Sequence, residues 1–231
     1  MREILAILPF VVTPETRARH EQILRRDAAP RGSSVTAVGL EQGPTPADYS
    51  RPGFKHAVGE IVEIAKRHEG RYDGIMISCF EDPALAEVRE VTRIPVVGPC
   101  QTALQLANVA GGRFFIVSPD LEAEPLLRRF VADAGLTDRY ASFVHMPFEI
   151  EGVAADADLA ANAAGLIRVT REATHAQTAV LGCTAFTECY DDIRKLAGGR
   201  VIEPARASIG MLELLIDLES RPGVPSARED A

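Results

Sequence analysis

The chain has 231 residues, 46% of them hydrophobic and 25% charged, with a formal net charge of −8. That length buries a sizeable core as one large domain or two small ones. The acidic balance, with no clustered Lys/Arg run, argues against nucleic acid, and no apolar run approaches the roughly 20 residues of a membrane span.

The predicted elements come in two matching series. Met1-Arg2-Glu3-Ile4 leads at once into a strand over Ile4 to Leu8, which points away from a signal peptide. Thr13-Pro14-Glu15 places a cap, a proline and an acid for a helix to about Arg26. A strand over Ser34 to Leu40, a turn-rich loop over 41–52 and a helix from Phe54 to His68 follow. Ile75 to Ser78 reads as a short buried strand, since its apolar run lacks period-two alternation. Asp82 and Pro83 read as the cap and first residue of a helix reaching Thr92. A short strand over Ile94 to Val97 and a helix from Gln101 to Ala110 end the series, and Gly111-Gly112 marks the join.

The second series has a strand ending at Val117, a Ser118-Pro119-Asp120 cap signal, a helix to about Ala134 and a strand over Ser142 to His145. A loop from Met146 to Ala155 and a helix from Asp156 to Thr174 follow. Then come the strand Thr178-Ala179-Val180-Leu181, a helix ending at Gly198-Gly199, a strand at Val201 and a helix to Glu219. The order β-α-β-α-β-α-β-α in each series predicts an α/β fold of two pseudo-symmetric lobes, each a parallel sheet of about four strands flanked by helices. The expected divisions are residues 1–112, residues 113–219 and a polar tail over 220–231.

The repeat places a cysteine at the same point twice. Cys79 follows one buried strand and Cys183 the other, with Pro99 and Pro204 lying 20 and 21 residues further on. Ligands bind at this carboxyl edge of open α/β sheets. Cysteine at a helix start should be shifted toward thiolate by the dipole and the unpaired N–H groups. Two such thiols on opposite walls of one cleft suit an acid–base pair: one removes a proton next to a carbonyl, the other returns a proton to the opposite face, and helix-start N–H groups stabilise the enolate. A lone cysteine is ordinarily a small buried hydrophobe. That reading serves Cys189, which shares a helical stripe with Ile193 and Leu196, and Cys100, whose counterpart is Ala205. The four cysteines lack zinc-finger spacing, so no metal is expected. Absent a secretory signal they are expected reduced in the cytoplasm. No glycine fingerprint follows the first strand, and no lysine stands at a strand end for a Schiff base, so no cofactor is expected.

Two segments carry a family resemblance. Ile77-Ser78-Cys79-Phe80-Glu81-Asp82-Pro83-Ala84-Leu85, followed by Ile94-Pro95-Val96-Val97-Gly98, resembles the first cysteine motif of the hydantoin racemases. Leu181-Gly182-Cys183-Thr184 resembles the second cysteine motif of the wider aspartate/glutamate racemase superfamily. The resemblance spans nearly the whole chain. It implies an isomerase: cofactor-independent racemisation with Cys79 and Cys183 as the two bases, in a homo-oligomer. Many members carry an Asn-rich turn after the first strand, where this chain has Leu8-Pro9-Phe10-Val11. The substrate therefore stays open between a 5-substituted hydantoin, allantoin and aspartate or glutamate, and a non-catalytic small-molecule binder using the same cleft is the reading from another class.

The expected substrate-binding residues border the two cysteines and the strand ends: Pro9, Phe10, Ser78, Phe80, Ser118, Gly182, Thr184 and Phe186. The aromatic residues, with Phe148, favour an apolar substituent if two or more face the ligand. Ser118 is equally explained as a helix cap, and His145 as a surface or packing histidine. Arg206 would suit a carboxylate or an outward salt bridge; its first-half counterpart is the neutral Gln101.

Overall fold

A computed structural model describes residues 1–46, 51–150, 153, 156 and 158–219, with the side chains of 51–56 excepted. The tail over 220–231 and parts of the loops over 41–52 and 146–155 lie outside the described residues.

The chain forms two compact units. In the first, β1 (Arg2–Leu8), α1 (Pro14–Ala28), β2 (Ser33–Gly39), α2 (Arg51–His68), β3 (Gly74–Ile77), α3 (Leu85–Val91) and β4 (Val96–Val97) alternate. Its strands pair in parallel in the order β2-β1-β3-β4. In the second, β5 (Phe114–Ser118), α5 (Glu124–Asp133), β6 (Tyr140–His145), α6 (Leu159–Thr174), β7 (Thr178–Leu181), α7 (Tyr190–Ala197) and β8 (Arg200–Ile202) repeat the pattern in the order β6-β5-β7-β8.

The cores repeat as well. Leu5 and Ile7 of β1, with Ile75 and Ile77 of β3, share a sheet face packed with Ile61, Ile64, Ala65 and Val88. Phe115 and Val117 of β5, with Ala179 and Leu181 of β7, pack with Ala163, Ala164, Ile167 and Ile193. The central strands are apolar without alternation because both their faces are buried: every residue of β3, β5 and β7 is buried. Each Val, Leu, Ile, Phe or Met side chain among them contributes about 1.5–3 kcal/mol on leaving water.

The units divide differently from the expected 1–112 and 113–219. Met1–Gly98 joins with the chain from Ser208 on, and Pro99–Ala207 forms the other unit. The reason is where two helices bury their apolar sides. Helix α4 (Pro99–Ala110) lies against α5, β7 and β8 of the second sheet. The later part of α8 (Pro204–Glu219) instead covers the first sheet. Leu212 and Ile216 there stand so close to Gly74 that a Cβ on residue 74 would lie 2.8 and 3.1 Å from them. Arg31 pairs with the buried Glu213, and Arg2 with Asp217 at 2.6 Å.

Candidate active site

In the first unit the chain leaves β3 by a short sequence of turns. The Ser78 N–H donates to the Ile7 carbonyl of β1 at 2.7 Å, and the Cys79 N–H donates back to Ile77 at 2.8 Å. That two-residue step is a γ-turn centred on Ser78. The Asp82 N–H then donates to the Cys79 carbonyl at 3.1 Å. Asp82 does not cap a helix as expected, and Pro83 is not the first helical residue. Asp82 and Ala84 take φ of 50° and 59°, and α3 starts only at Leu85, without a side-chain cap. The cause is local: a residue before proline is disfavoured in the right-handed helical region, and Asp is among the few side chains that tolerate the left-handed one. The Asp82 carboxylate lies instead over Gly98, in the volume that a Cβ there would occupy.

Gly98→Ala is therefore expected to lower stability by about 1–3 kcal/mol, the usual range for overpacking. Urea unfolding should show the loss, and adding Asp82→Ala should recover part of it. Equal stability of Gly98→Ala and the parent would show that the carboxylate moves aside freely.

Around Cys79, which is 5% exposed, Phe10 and Val12 form a small apolar cluster. Pro9, Ser78, Phe80 and Glu81 are buried too. Behind Ser78 stands a residue that sequence reading missed. His20 of α1 shares a hydrogen bond with Ser78, Nε2 to Oγ, at 2.8 Å, and both side chains are buried. Burial alone lowers the imidazole from its ordinary 6.5 to about 4. The available signal was spacing: His20, Leu24 and Ala28 recur every fourth residue, and all three are buried.

The folded ring takes a proton near pH 4 and the unfolded ring near 6.5, so protons favour the unfolded chain between those values. Stability is present above pH 6.5 and is lost as pH falls toward 4, by about 2 kcal/mol already at pH 5. His20→Gln, which cannot titrate, should flatten that part of the pH–stability curve relative to the parent. Superimposable curves would contradict a buried neutral His20.

In the second unit the corresponding turn is held differently. The Gly182 N–H donates to the Val117 carbonyl of β5 at 2.6 Å, and the Ser118 hydroxyl donates to the Gly182 carbonyl at 3.4 Å. A Cβ on Gly182 would lie 2.9 Å from Ile116, Ser118 and the Val117 oxygen, so glycine permits the close approach of the strands. Cys183 is half-buried and has extended backbone before a 3-10 helix over Thr184–Glu188, with α7 beginning only at Tyr190. Thr184 is half-buried beside it. Neither cysteine thus directly precedes an α-helix, contrary to expectation; the nearby amides are those of turns after Cys79 and of the 3-10 helix after Cys183. Each thiol nevertheless follows a residue whose N–H closes the ladder to the central strand, Ile7 for Ser78 and Val117 for Gly182.

The other candidates divide by environment. Phe186 is fully buried in the second core, edge-to-face with Phe148 at 4.8 Å. Ser118 is buried at the end of β5 and caps no helix; Asp120 accepts from the Glu122 N–H instead. His145 is exposed, its Nε2 3.0 Å from the Pro119 carbonyl. Arg206 grips Asp191 through two hydrogen bonds of 2.9 and 3.1 Å and lies over the Tyr190 ring. Gln101 is exposed and Cys100 is fully buried. Burial, followed by the Glu188 charge, pushes the Cys189 thiol up to about 11, which suits an inert packing residue. Glu203, also missed from sequence, caps α8 by accepting the Ala205 and Arg206 N–H groups at 3.0 and 2.8 Å.

A sequence profile described as Asp/Glu/Hydantoin racemase matches residues 13–212. The chain belongs to that racemase family. The hydantoin racemase of Paenarthrobacter aurescens is 31% identical to it over 195 residues, 81% of this chain and 80% of that protein. The hydantoin racemase of Pseudomonas sp. (strain NS671) is 27% identical over 199 residues, 84% and 78% of the two chains. The fold is shared with allantoin racemase from Klebsiella pneumoniae, with a TM-score of 0.83 at 24% identity, covering 94% of this chain and 89% of that one. Unliganded arylmalonate decarboxylase gives 0.67 at 16% identity, covering 97% of both chains. The protein is accordingly an isomerase of the racemase type. No described helix of this racemase is long and apolar enough to cross a membrane.

Proposed function

We propose that the chain is a cofactor-independent racemase of 5-substituted hydantoins, with Cys79 and Cys183 as its two acid–base groups. The observation that carries this reading is the matched placement of the two thiols, each one residue beyond an N–H that closes a central-strand ladder. Relatives described as hydantoin racemases support the substrate class, as does the packing of Phe10 on Cys79, which supplies an apolar surface beside the thiol.

In the proposed reaction one thiolate takes the C5 proton, and the electron pair of that bond moves into the C4 carbonyl to give an enolate. Backbone N–H groups that follow the cysteines stabilise the oxygen as charge develops. The other cysteine, as thiol, delivers a proton to the opposite face while the carbonyl reforms. One proton is removed and one supplied, so no oxidant, metal or cofactor is consumed. The thiols end with their protonation exchanged, and the enzyme is then primed for the mirror-image substrate.

The proposal includes a homo-oligomer, which the family resemblance implies, and a cytoplasmic location, where four cysteines without a disulfide suit a reducing compartment. A panel of enantiopure hydantoins, allantoin and amino acids followed by polarimetry tests the assignment. Fastest loss of optical rotation is expected with a 5-benzyl- or 5-alkylhydantoin, after dialysis against EDTA. Activity that disappears on dialysis and returns with a metal or pyridoxal phosphate would overturn it.

A further inference from the structure

The two cysteine turns are braced differently, and the difference centres on α1. Strand β2 is the edge of the first sheet. Three α1 side chains reach the backbone of that edge: Arg17 donates to the Ala37 carbonyl at 3.3 Å, Glu21 accepts the Ala37 N–H at 2.8 Å, and Arg25 donates to the Val35 carbonyl at 2.5 Å. Arg25 also pairs with Glu21 at 3.0 Å. These contacts lie on both sides of His20 in the helix and tie α1 to β2. The ring meets the side chain at the centre of the γ-turn before Cys79. Ser78 is held through its N–H by Ile7 of β1 and through its hydroxyl by His20 of α1. The second unit places a glycine at the corresponding position, and Gly182 has no side chain to hold.

We propose that His20 is a positioning residue, which holds the Ser78 hydroxyl and through it the turn that aims the Cys79 thiol. The role in catalysis rests on the reading of Cys79 as an acid–base group; the bracing of the turn does not. A misplacement of a reacting group by a fraction of an ångström to an ångström slows chemistry while leaving binding largely intact, so the effect should fall on one thiol and on kcat.

The test compares the whole protein with its His20→Leu, His20→Gln and Ser78→Ala variants, each checked for fold by circular dichroism. Iodoacetamide labelling of Cys79 and Cys183 is followed peptide by peptide by mass spectrometry, and kcat and KM are measured with 5-benzylhydantoin. Expected for His20→Leu and Ser78→Ala is Cys79 labelling at least about fivefold faster with Cys183 unchanged, and kcat down about tenfold with KM changed less than about threefold. His20→Gln, whose amide can still reach the Ser78 hydroxyl, should recover most of both. Parent-like labelling of Cys79 and parent-like kcat in His20→Leu or in Ser78→Ala would overturn the proposal, as would equal acceleration at Cys183. If His20→Leu does not fold, Ser78→Ala decides alone. If the parent turns over no hydantoin, the substrate reading has failed, and the labelling ratio still decides whether His20 braces the turn.

Discussion

Cys79→Ser and Cys183→Ser are each expected to lower racemisation of a 5-substituted hydantoin by about 10²–10⁴-fold, the range associated with a positioned acid or base. A serine hydroxyl is far less acidic than a thiol, whose ordinary pKa is about 8.5, so neither proton removal nor proton return survives at the substituted position. The substitution is close in size, and backbone hydrogen bonds of Ser78, Cys79 and Gly182 hold the turns. The variants should therefore keep the parent's circular dichroism. Each should retain a residual asymmetry, with deuterium from solvent entering one enantiomer and not the other, because the remaining thiol still serves one face. A folded variant of either cysteine that racemises at nearly the parental rate would remove that residue from the mechanism.

The second large effect concerns substrate charge. Aspartate and glutamate are expected to turn over at least about a hundredfold more slowly than 5-benzyl- or 5-alkylhydantoins, because a carboxylate entering a poorly solvated site needs a cation or several donors. Arg206, the basic residue placed by sequence near a strand end, already grips Asp191 at 2.9 and 3.1 Å and lies over the Tyr190 ring. A substrate carboxylate would have to compete with that pairing. A hydantoin carries no carboxylate, and Phe10 on Cys79 offers an apolar contact. Arg206→Ala should then slow hydantoin racemisation by less than about tenfold, equivalent to about 1.4 kcal/mol. Faster turnover of aspartate or glutamate than of any hydantoin, abolished by Arg206→Ala, would move the assignment to acidic amino acids.

Much of this was legible because buried parallel strands write themselves as short apolar runs. Ile75–Ile77 and Thr178–Leu181 stand out that way, and each points to the cysteine two residues on. The cap at Thr13 was legible for the same local reason: its side chain accepts the Thr16 N–H in the first turn of α1. The failures are non-local or conflicting. Asp82-Pro83 carries a helix-start signal, yet proline restricts the residue before it, and the carboxylate finds its place over Gly98, sixteen positions further along. The partition of α4 and α8 between units depends on which sheet receives their apolar sides, and an apolar stripe does not name its partner sheet. His20 shows a stripe with Leu24 and Ala28, but its partner Ser78 lies 58 residues away. Nothing in the α1 sequence specifies that meeting. Phe186 falls in a stretch expected to be a loop at the ligand edge, and tertiary packing draws it into the second core.

Two thiols are expected to move the C5 proton of a hydantoin between opposite faces. This is measured with enantiopure 5-benzylhydantoin and the parent enzyme in D₂O, recording optical rotation and the C5 proton signal together against an enzyme-free blank. A two-base mechanism predicts that, at early times, product of inverted configuration carries deuterium at C5 while unreacted substrate keeps its hydrogen, from either enantiomer. Inverted product that retains the original C5 hydrogen, or deuterium appearing first in substrate of unchanged configuration from both enantiomers, would contradict it.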